Sequence, residues 1–359
     1  MSRPDPFGAL RLRRGPAWPN RLALAALTNQ QSHPDGTISD AELRWLVLRA
    51  EGGFGLTMTC ASHVQAVGQG FPGQLGVFGD QHADGLARLA SAIVAAGSVP
   101  ALQLHHAGAR APAELVGQPV GPSDDAATGT RALTAAEVED VVDDFAAAAA
   151  RAERAGFAAV EVHGAHGYLL CQFLSPEQNR RTDRYGGSPG NRARIVVEVL
   201  DAIRDRCSAD LQVGIRLSPE RFGLRLADIR DLAGELLAAG RVDFLDMSLW
   251  DARKLPEDAT LADRPLLAHF TDLERGDAVL GVAGTIRTGR DVVDVLTAGA
   301  DYAIVGRAAV LHHDFPRRLR RDRDFTPVAL PVSEAYLHGE GVSPPFVDYL
   351  RRWEGFVAT

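Results

Sequence analysis

A cluster of proton-bearing side chains follows one apolar segment of the chain. His163, His166 and Tyr168 lie within six residues at the end of segment 157–163. Two imidazoles and a phenol on one side of a chain can hold a carbonyl or anionic oxygen, and the phenol can supply a proton to carbon. Two other interpretations stay open. One histidine could be a hydrogen-bonding core residue, and a zinc site would need a third ligand that the neighbouring sequence lacks.

Two glycine-containing turns near the end of the chain indicate a phosphate site. Gly284 and Thr285 follow the segment 278–283, and Gly306 and Arg307 follow the segment 302–305. Backbone N–H groups at such turns bind phosphate, and an arginine adds a charge-assisted fork. Either turn alone is also typical of a simple connection. The pair, one strand–helix unit apart, favours phosphate binding.

Three further polar residues stand at the ends of apolar segments. Thr28 directly follows segment 22–27. Gln103 is the next-to-last residue of segment 99–104, and Arg216 is the next-to-last residue of segment 211–217. An amide and a guanidinium around a flat heterocycle, with phosphate bound nearby, describe a mononucleotide cofactor, and a flavin carries the required carbonyls and ring nitrogens. The alternative for Arg216 is a structural ion pair with a carboxylate at a strand end.

Eight short apolar segments alternate with segments of helical spacing, and each would position one of these groups. The predicted strands are 22–27, 55–61, 99–104, 157–163, 211–217, 242–248, 278–283 and 302–305. Strands joined by helices run parallel, and eight such units predict an α/β fold, a TIM (β/α)8 barrel. An open doubly wound sheet is the alternative. The polar residues favour the barrel, because barrel enzymes place their chemistry at the carboxyl ends of strands.

The organisation predicted is a single barrel domain, residues 1–321, followed by a C-terminal extension, residues 322–359, that packs on the barrel or on a neighbouring subunit. Long connections after strands three and four, 105–133 and 164–187, are expected to cover the site. The spacing Gly68-Gln-Gly70-Phe-Pro-Gly73 matches a dinucleotide fingerprint. No strand leads directly into it and no helix begins at its last glycine, which predicts a loop.

Composition excludes several classes of function. The chain of 359 residues holds 46 acidic and 38 basic residues, a net charge of -8 that disfavours a nucleic-acid partner. Its three cysteines cannot assemble a disulfide framework or an iron–sulfur site. No signal sequence or membrane span is evident. We therefore expect a cytoplasmic protein with a small-molecule substrate and no membrane or metal partner.

These residues resemble the old yellow enzyme family of FMN-dependent NAD(P)H oxidoreductases. The resemblance extends from Asn20 to about Phe315, and its most specific blocks are the HxxHGY motif at 163–168 and the NxRTDxYGGS motif at 179–188. It implies non-covalent FMN, NADPH or NADH as reductant, and ping-pong reduction of activated C=C bonds. His163 and His166 would hold the substrate carbonyl, and Tyr168 would deliver the proton.

The resemblance also implies a flavin site. Its residues would be Ala26, Thr28, the backbone at Cys60, Gln103, Arg216, Gly284, Thr285, Gly306 and Arg307. The sequence departs from the family pattern at Ala26, where proline is usual, and at Thr28, where some bacterial members have a cysteine. Arg351 or Arg352 is similar to a tail arginine that enters a partner's active site in some relatives, which would require a homo-oligomer.

Two alternatives to an ene-reductase remain at this point. The histidines and the phosphate turns alone would also suit a non-redox phosphate-binding lyase or isomerase. A flavin-binding barrel without turnover is the other alternative. Flavin absorbance separates the first from an ene-reductase, and bleaching of the flavin by a nicotinamide separates the second.

Overall fold

The computed structural model describes residues 5–358, in which eight parallel strands close into a barrel. The strands are β1 Leu22–Leu24, β2 Leu56–His63, β3 Val99–His105, β4 Ala159–Gly164, β5 Gln212–Leu217, β6 Phe244–Ser248, β7 Val279–Ala283 and β8 Tyr302–Val305. Each strand pairs with its sequence neighbours, and β8 pairs with β1. The predicted TIM barrel is confirmed, and all eight predicted strands are present.

Helices connect the strands and cover the outside of the barrel. The principal ones are Asp40–Glu51, Ala83–Ala95, Ala135–Arg154, Pro189–Arg206, Leu226–Ala238, Ala268–Thr271, Gly289–Thr297, Arg307–Leu311 and Phe315–Arg321. Two of them begin at capping boxes, in which Thr134 pairs with Glu137 and Thr288 pairs with Asp291. Each box satisfies otherwise unpaired N–H groups of the first turn, and so sets where the helix begins.

Aromatic side chains close the barrel at the amino ends of the strands. Trp18 is fully buried, with ring centroids 5.6 Å from Phe244 and 4.9 Å from Tyr302, and its indole N–H donates to Gln212 Oε1 at 2.9 Å. Gly281 makes room for this packing, since a Cβ there would lie 2.0 Å from the Tyr302 ring. With this end filled, the carboxyl ends of the strands form the mouth at which barrel enzymes bind their ligands.

Every strand except β8 has a boundary that differs by one to three residues from the predicted one, and the carboxyl ends of β1, β2 and β3 lie nearest the predicted site residues. β1 ends at Leu24, so Thr28 lies in the loop four residues beyond it. β2 and β3 extend further than expected, to His63 and His105, because they pair as far as that point with a bulge between Met58 and Ala61. Periodicity cannot set these ends, since hydrogen bonding to a neighbouring strand decides where each strand stops.

The two long connections are partly ordered by short elements. The loop after β3 contains the helix Ala113–Val116 and a small parallel sheet of Val120–Gly121 with Arg131–Ala132, and the loop after β4 contains the helix Leu169–Leu174. The glycine-rich segment 68–73 is a loop, as predicted. It begins at Gly68, the last residue of the short 3-10 helix Ala66–Gly68, and no helix begins at Gly73.

The segment after residue 321 lies against the barrel of its own chain. Its helices are Glu334–Gly339 and Pro344–Leu350. Phe346 packs edge-to-face on Trp45 with ring centroids 5.5 Å apart, and Ser343 Oγ donates to Gln31 Oε1 at 2.6 Å. Arg351 pairs with Glu334 at 2.7 Å and also with Asp348. These contacts bring the C-terminal segment beside the loop that follows β1.

Candidate active site

The structure brings His163, His166 and Tyr168 together at the mouth of the barrel. The ring centroid of His163 lies 5.0 Å from that of His166 and 5.4 Å from that of Tyr168. His166 adopts a positive φ of 61°, which turns the chain sharply after β4 and brings its ring back beside His163. The three groups therefore face one region, the geometry needed to hold an oxygen and protonate a neighbouring carbon.

Burial keeps these groups uncharged. It lowers the pKa of both imidazoles well below the usual value of a histidine, and it raises the pKa of the Tyr168 phenol. The guanidinium of Arg110 stacks on the Tyr168 ring at 4.8 Å and acts in the opposite direction on that pKa. At neutral pH the site therefore presents two neutral imidazoles and a protonated phenol.

A chain of hydrogen bonds connects the histidines to Arg216. Arg216 Nη2 donates to Ser248 Oγ at 3.2 Å, and Ser248 Oγ lies 2.8 Å from His166 Nε2. His166 Nδ1 in turn lies 3.3 Å from His163 Nε2, which is a long contact. Ser248 thus fixes the orientation of the His166 ring, while the two imidazoles hold each other only weakly.

A buried pair of carboxyl groups lies beneath Arg216 and Gln103. Gln103 Nε2 donates to Glu161 Oε1 at 2.6 Å, and Arg216 Nε lies 3.3 Å from Asp246 Oδ2. Burial and the charge of Asp246 raise the pKa of Glu161 to about 8, and burial raises that of Asp246 to about 6. Burial therefore favours the protonated form of both carboxyl groups, and the charge of Arg216 opposes this effect.

The glycine turns of β7 and β8 form the opposite side of the mouth. A Cβ at Gly284 would lie 2.9 Å from the backbone nitrogen of Ala252, so only glycine allows the two loops to approach this closely. Thr285 has a φ of 53° and donates from Oγ1 to the carbonyl of Trp250 at 3.0 Å. Gly306 precedes the helix that begins with the exposed Arg307.

Arg307 is a cation without a carboxylate partner among residues 5–358. Its guanidinium stacks on the Trp353 ring at 4.9 Å, and burial together with the nearby charge of Arg287 lowers its pKa. Two neighbouring arginines that repel each other favour an anion between them. The predicted phosphate residues follow the paired strands β7 and β8, and Trp353 of the C-terminal segment supports Arg307.

The remaining predicted flavin residues are placed less uniformly. Ala26 borders a small void inside the barrel with Glu161 and Asp246, and Thr28 is half-buried. The Cys60 side chain is buried in the outer core, beside the carboxyl group of Glu42. The carbonyl of Cys60 already accepts bonds from Thr59 and Ser62.

Comparison with known proteins follows this geometry. The sequence profile of the NADH:flavin oxidoreductase / NADH oxidase family matches residues 17–325. The chain belongs to the old yellow enzyme family. It is 35% identical over 317 residues to the probable NADH-dependent flavin oxidoreductase YqiG of Bacillus subtilis, with 85% of both chains covered.

Two further old yellow enzyme relatives agree with this assignment. An NADPH dehydrogenase of Bacillus licheniformis is 34% identical over 311 residues, which cover 85% of this chain and 91% of the relative. The structure of the old yellow enzyme homologue from Zymomonas mobilis superimposes with a TM-score of 0.81 at 26% identity, covering 96% of this chain and 99% of that one. The protein is an FMN-dependent NAD(P)H oxidoreductase.

The residues of this old yellow enzyme fit FMN. Arg216 Nε is buried and makes no hydrogen bond, although Asp246 Oδ2 lies 3.3 Å away, and Gln103 places its amide group near the end of β3. The close approach at Gly284 and the unpaired Arg307 suit a phosphate. These donors and acceptors match a ring with carbonyls and an N–H along one edge and a phosphate at its far end.

Sequence reasoning missed several residues of this old yellow enzyme site. The most prominent is His105, whose ring lies 5.5 Å from His163 and 4.4 Å from Tyr168 by centroids. Alternation along β3 could have found it, because His105 is two residues beyond Gln103 and so lies on the same face. Ser248 and Asp246 carried no signal, since each depends on the neighbouring strand for its role.

The described part of this old yellow enzyme contains neither a membrane-spanning helix nor a cluster of metal ligands. Between residues 5 and 358, no helix combines the length and apolarity that a bilayer crossing requires. In the same range, no three His, Cys, Asp or Glu side chains converge as metal ligands would. The zinc alternative for the His163 and His166 pair therefore has no third ligand in the part of the chain that the structure describes.

Proposed function

We propose that the protein reduces alkenes conjugated to a carbonyl or a comparable electron-withdrawing group. The observation that carries this proposal is the meeting of two neutral imidazoles, His163 and His166, with the protonated Tyr168 at one strand end. Bound FMN would supply hydride transfer from NADH or NADPH to the alkene. Nicotinamide and alkene would use the same mouth of the barrel in turn, which gives ping-pong kinetics.

The residues assigned to FMN in this proposal divide by chemistry. Thr28, Gln103 and Arg216 would contact the ring, with Ala26 and the Cys60 backbone beside it. Gly284, Thr285, Gly306 and Arg307 would hold the phosphate. Support comes from the buried Arg216 Nε, which makes no hydrogen bond, and from Arg307, which has no carboxylate partner among residues 5–358.

The imidazoles activate the substrate by hydrogen bonding. His163 and His166 exchange their long 3.3 Å mutual contact for bonds to one carbonyl oxygen. These bonds strengthen as negative charge develops on that oxygen, so they make the β-carbon a better hydride acceptor. One well-placed donor of this kind contributes about 2.7 to 4 kcal/mol.

Tyr168 supplies the proton. Burial raises its pKa, so the phenol holds its proton at neutral pH and can transfer it to the α-carbon. The alkene gains one hydride at the β-carbon and one proton at the α-carbon, its π bond becomes two C–H bonds, and NAD(P)H becomes NAD(P)+. The phenolate then recovers a proton from solvent.

Arg216 and the carboxyl pair beneath it control the charge of the site. The raised pKa values of Glu161 and Asp246 disfavour two negative charges beside Arg216. Arg216 can then face additional negative charge from a bound ligand without an excess of buried anions.

The test is an anaerobic titration of the flavin-loaded protein. NADH or NADPH should bleach the flavin absorbance, and 2-cyclopentenone should restore it with formation of cyclopentanone. Deuterated nicotinamide should label the β-carbon, and D2O should label the α-carbon. If NADH and NADPH do not bleach the flavin, a flavin-binding barrel without turnover explains the protein better. If the protein never binds flavin, a non-redox phosphate-binding lyase or isomerase explains it better.

Tyr168→Phe separates the two half-reactions. The variant should bleach with NAD(P)H as the parent does, but 2-cyclopentenone should reoxidise it more slowly by about 10²-fold or more. Equal rates of reoxidation in parent and variant would contradict the assigned proton transfer.

A further inference from the structure

Glu42 is a buried carboxyl group whose placement the local sequence does not explain. The spacing from Ser39 to Glu42 matches a capping box, in which Glu42 would return to the N–H of Ser39. Ser39 does cap the helix Asp40–Glu51, since its Oγ accepts from the Glu42 N–H at 3.2 Å. The Glu42 side chain, however, turns inward and has no exposed surface. Burying a carboxyl group is unfavourable, so the groups that it contacts there indicate its role.

The carboxyl group bonds to both ends of the turn from Asn29 to Ser32, which we call the β1 turn. Asn29 Nδ2 donates to Glu42 Oε1 at 2.9 Å, and Ser32 Oγ donates to Glu42 Oε2. Within the turn, Asn29 Oδ1 accepts from the Gln31 N–H at 3.0 Å, and Gln30 adopts a positive φ of 56°. A residue other than glycine keeps this conformation only where its surroundings impose it, and such residues are frequent at functional sites.

Two other segments of the chain fix the same turn. The Ser32 N–H donates to the carbonyl of Gly73 at 3.0 Å, and a Cβ at Gly73 would lie 2.6 Å from the carbonyl oxygen of Gln30. Ser343 of the C-terminal segment donates to Gln31 Oε1 at 2.6 Å. Glu42 differs from these contacts because it bonds to both ends of the β1 turn with one charged or acidic group.

The β1 turn adjoins two of the groups assigned to the flavin ring. Thr28 directly precedes the turn, and the thiol of Cys60 on β2 lies beside the Glu42 carboxyl group. A donor to a bound ring must be positioned to within about 0.5 Å. Thr28 is four residues beyond the end of β1, so strand pairing does not position it. The bonds of Glu42 to the β1 turn, which begins at the next residue, can supply this precision.

We propose that Glu42 is a positioning residue that raises the reduction potential of the bound flavin by fixing Thr28 through the β1 turn. A hydroxyl that donates to a ring carbonyl binds the more negative, reduced ring more tightly than the oxidised ring, so a well-placed donor favours reduction. This inference rests on the proposed function, because that proposal assigns Thr28 to the ring.

The first measurement is the midpoint potential of the flavin-loaded protein, titrated anaerobically against a reference dye. Glu42→Leu removes both acceptors of the β1 turn. It should lower the potential by about 15 to 30 mV, which corresponds to a 3- to 10-fold weaker preference for reduced over oxidised flavin. Glu42→Gln keeps an acceptor for Asn29 and can donate to Ser32 Oγ, so it should recover most of this shift.

Asp40→Asn is the matched control. Asp40 lies two residues earlier on the same helix, but it is exposed and pairs with Arg88 at 2.8 Å. Its replacement should leave the potential unchanged. An unchanged potential in Glu42→Leu, or an equal shift in Asp40→Asn, overturns the proposal. If Glu42→Leu does not fold, Asn29→Ala, which removes the partner of Oε1, takes its place and should lower the potential in the same way.

A double variant separates positioning from a direct effect of the carboxyl group on the flavin. Thr28→Val should lower the potential by itself. If Glu42 acts through Thr28, Glu42→Leu should then add nothing in the Thr28→Val background. Additive shifts would mean that Glu42 acts on the flavin without Thr28, and they would overturn the positioning role.

The dye titration keeps this inference separate from the proposed function, because it needs neither nicotinamide nor alkene. Absence of alkene turnover in the parent would refute the function, while the potentials would still decide the role of Glu42. A Thr28→Val variant with the parent potential would refute the assignment of Thr28 to the ring, and this inference with it. A shift in Thr28→Val without one in Glu42→Leu would refute this inference alone.

Discussion

The two sides of the barrel mouth are built on opposite principles. On the imidazole side, His105, His163, His166 and Tyr168 are buried or nearly so, and burial keeps all four uncharged. On the arginine side, Gly284, Thr285 and Gly306 contribute backbone, and the exposed Arg307 contributes a full charge. A neutral, desolvated side polarises an oxygen whose charge develops only during reaction, whereas a charged, hydrated side holds an anion permanently.

The largest effect expected from this comparison is on the imidazole side. The double variant His163→Ala/His166→Ala should lose at least about 10³-fold in kcat/KM for enones, because one oxyanion donor alone is worth 10²- to 10³-fold. Bound FMN should remain, since the arginine side is intact. Steady-state kinetics and the flavin spectrum measure both quantities. A double variant that binds phenols as tightly as the parent would show that these rings do not hold the oxygen.

Replacing Arg307 on the arginine side should weaken the binding of FMN. Arg307→Ala removes a charge-assisted bond to phosphate and should weaken FMN binding by about 10- to 100-fold. Fluorescence titration of FMN into the flavin-free protein measures this. Arg88→Ala, at an exposed arginine paired with Asp40 at 2.8 Å, is the matched control and should leave FMN affinity unchanged. Equal affinity in Arg307→Ala and the parent would remove Arg307 from the phosphate site.

Acid should destabilise the imidazole side. The unfolded chain's histidines take up protons below about pH 6.5, whereas burial lowers the pKa of His105, His163 and His166 well below that, and of His106 to about 3. The free energy of unfolding therefore falls as pH falls below 6.5, by up to about 1.4 kcal/mol per pH unit for each neutral imidazole. Denaturant titrations between pH 7.5 and 5 measure this slope.

His106→Phe tests this assignment. The variant lacks one imidazole that binds a proton when the chain unfolds. The free energy of unfolding should therefore depend less steeply on pH than in the parent. The raised pKa of Glu161 acts in the other direction over part of this range, but it cancels in the comparison between parent and variant. An identical slope would mean that His106 titrates in the folded protein.

The smallest effect should come from the support behind Arg307. Trp353→Leu keeps an apolar contact but removes the ring on which the guanidinium stacks at 4.9 Å. An exposed cation–π contact is worth about 0.5 to 1 kcal/mol, so FMN affinity should fall by about 2- to 5-fold. Trp353→Phe should recover part of that loss. A change as large as that of Arg307→Ala would show that the C-terminal segment contributes more than a stacking surface.

Much of the fold was accessible from local pattern. Strands and helices alternate eight times, and Thr134 and Thr288 mark helix starts that capping boxes confirm. The grouping of His163, His166 and Tyr168 could be predicted from their spacing and from their position at the end of a strand, because neighbouring residues make the turn at His166.

The amino-acid sequence by itself determined the barrel, the imidazole pair with its tyrosine, and the glycine–arginine turns, because each depends on residues close together in the chain. The tertiary structure alone decided the position of His105 beside His163, the raised pKa values of the Glu161 and Asp246 carboxyl groups, and the stacking of Trp353 on Arg307. These depend on strand register, on burial, and on where a distant segment packs. Such quantities arise only when elements far apart in sequence share one desolvated space.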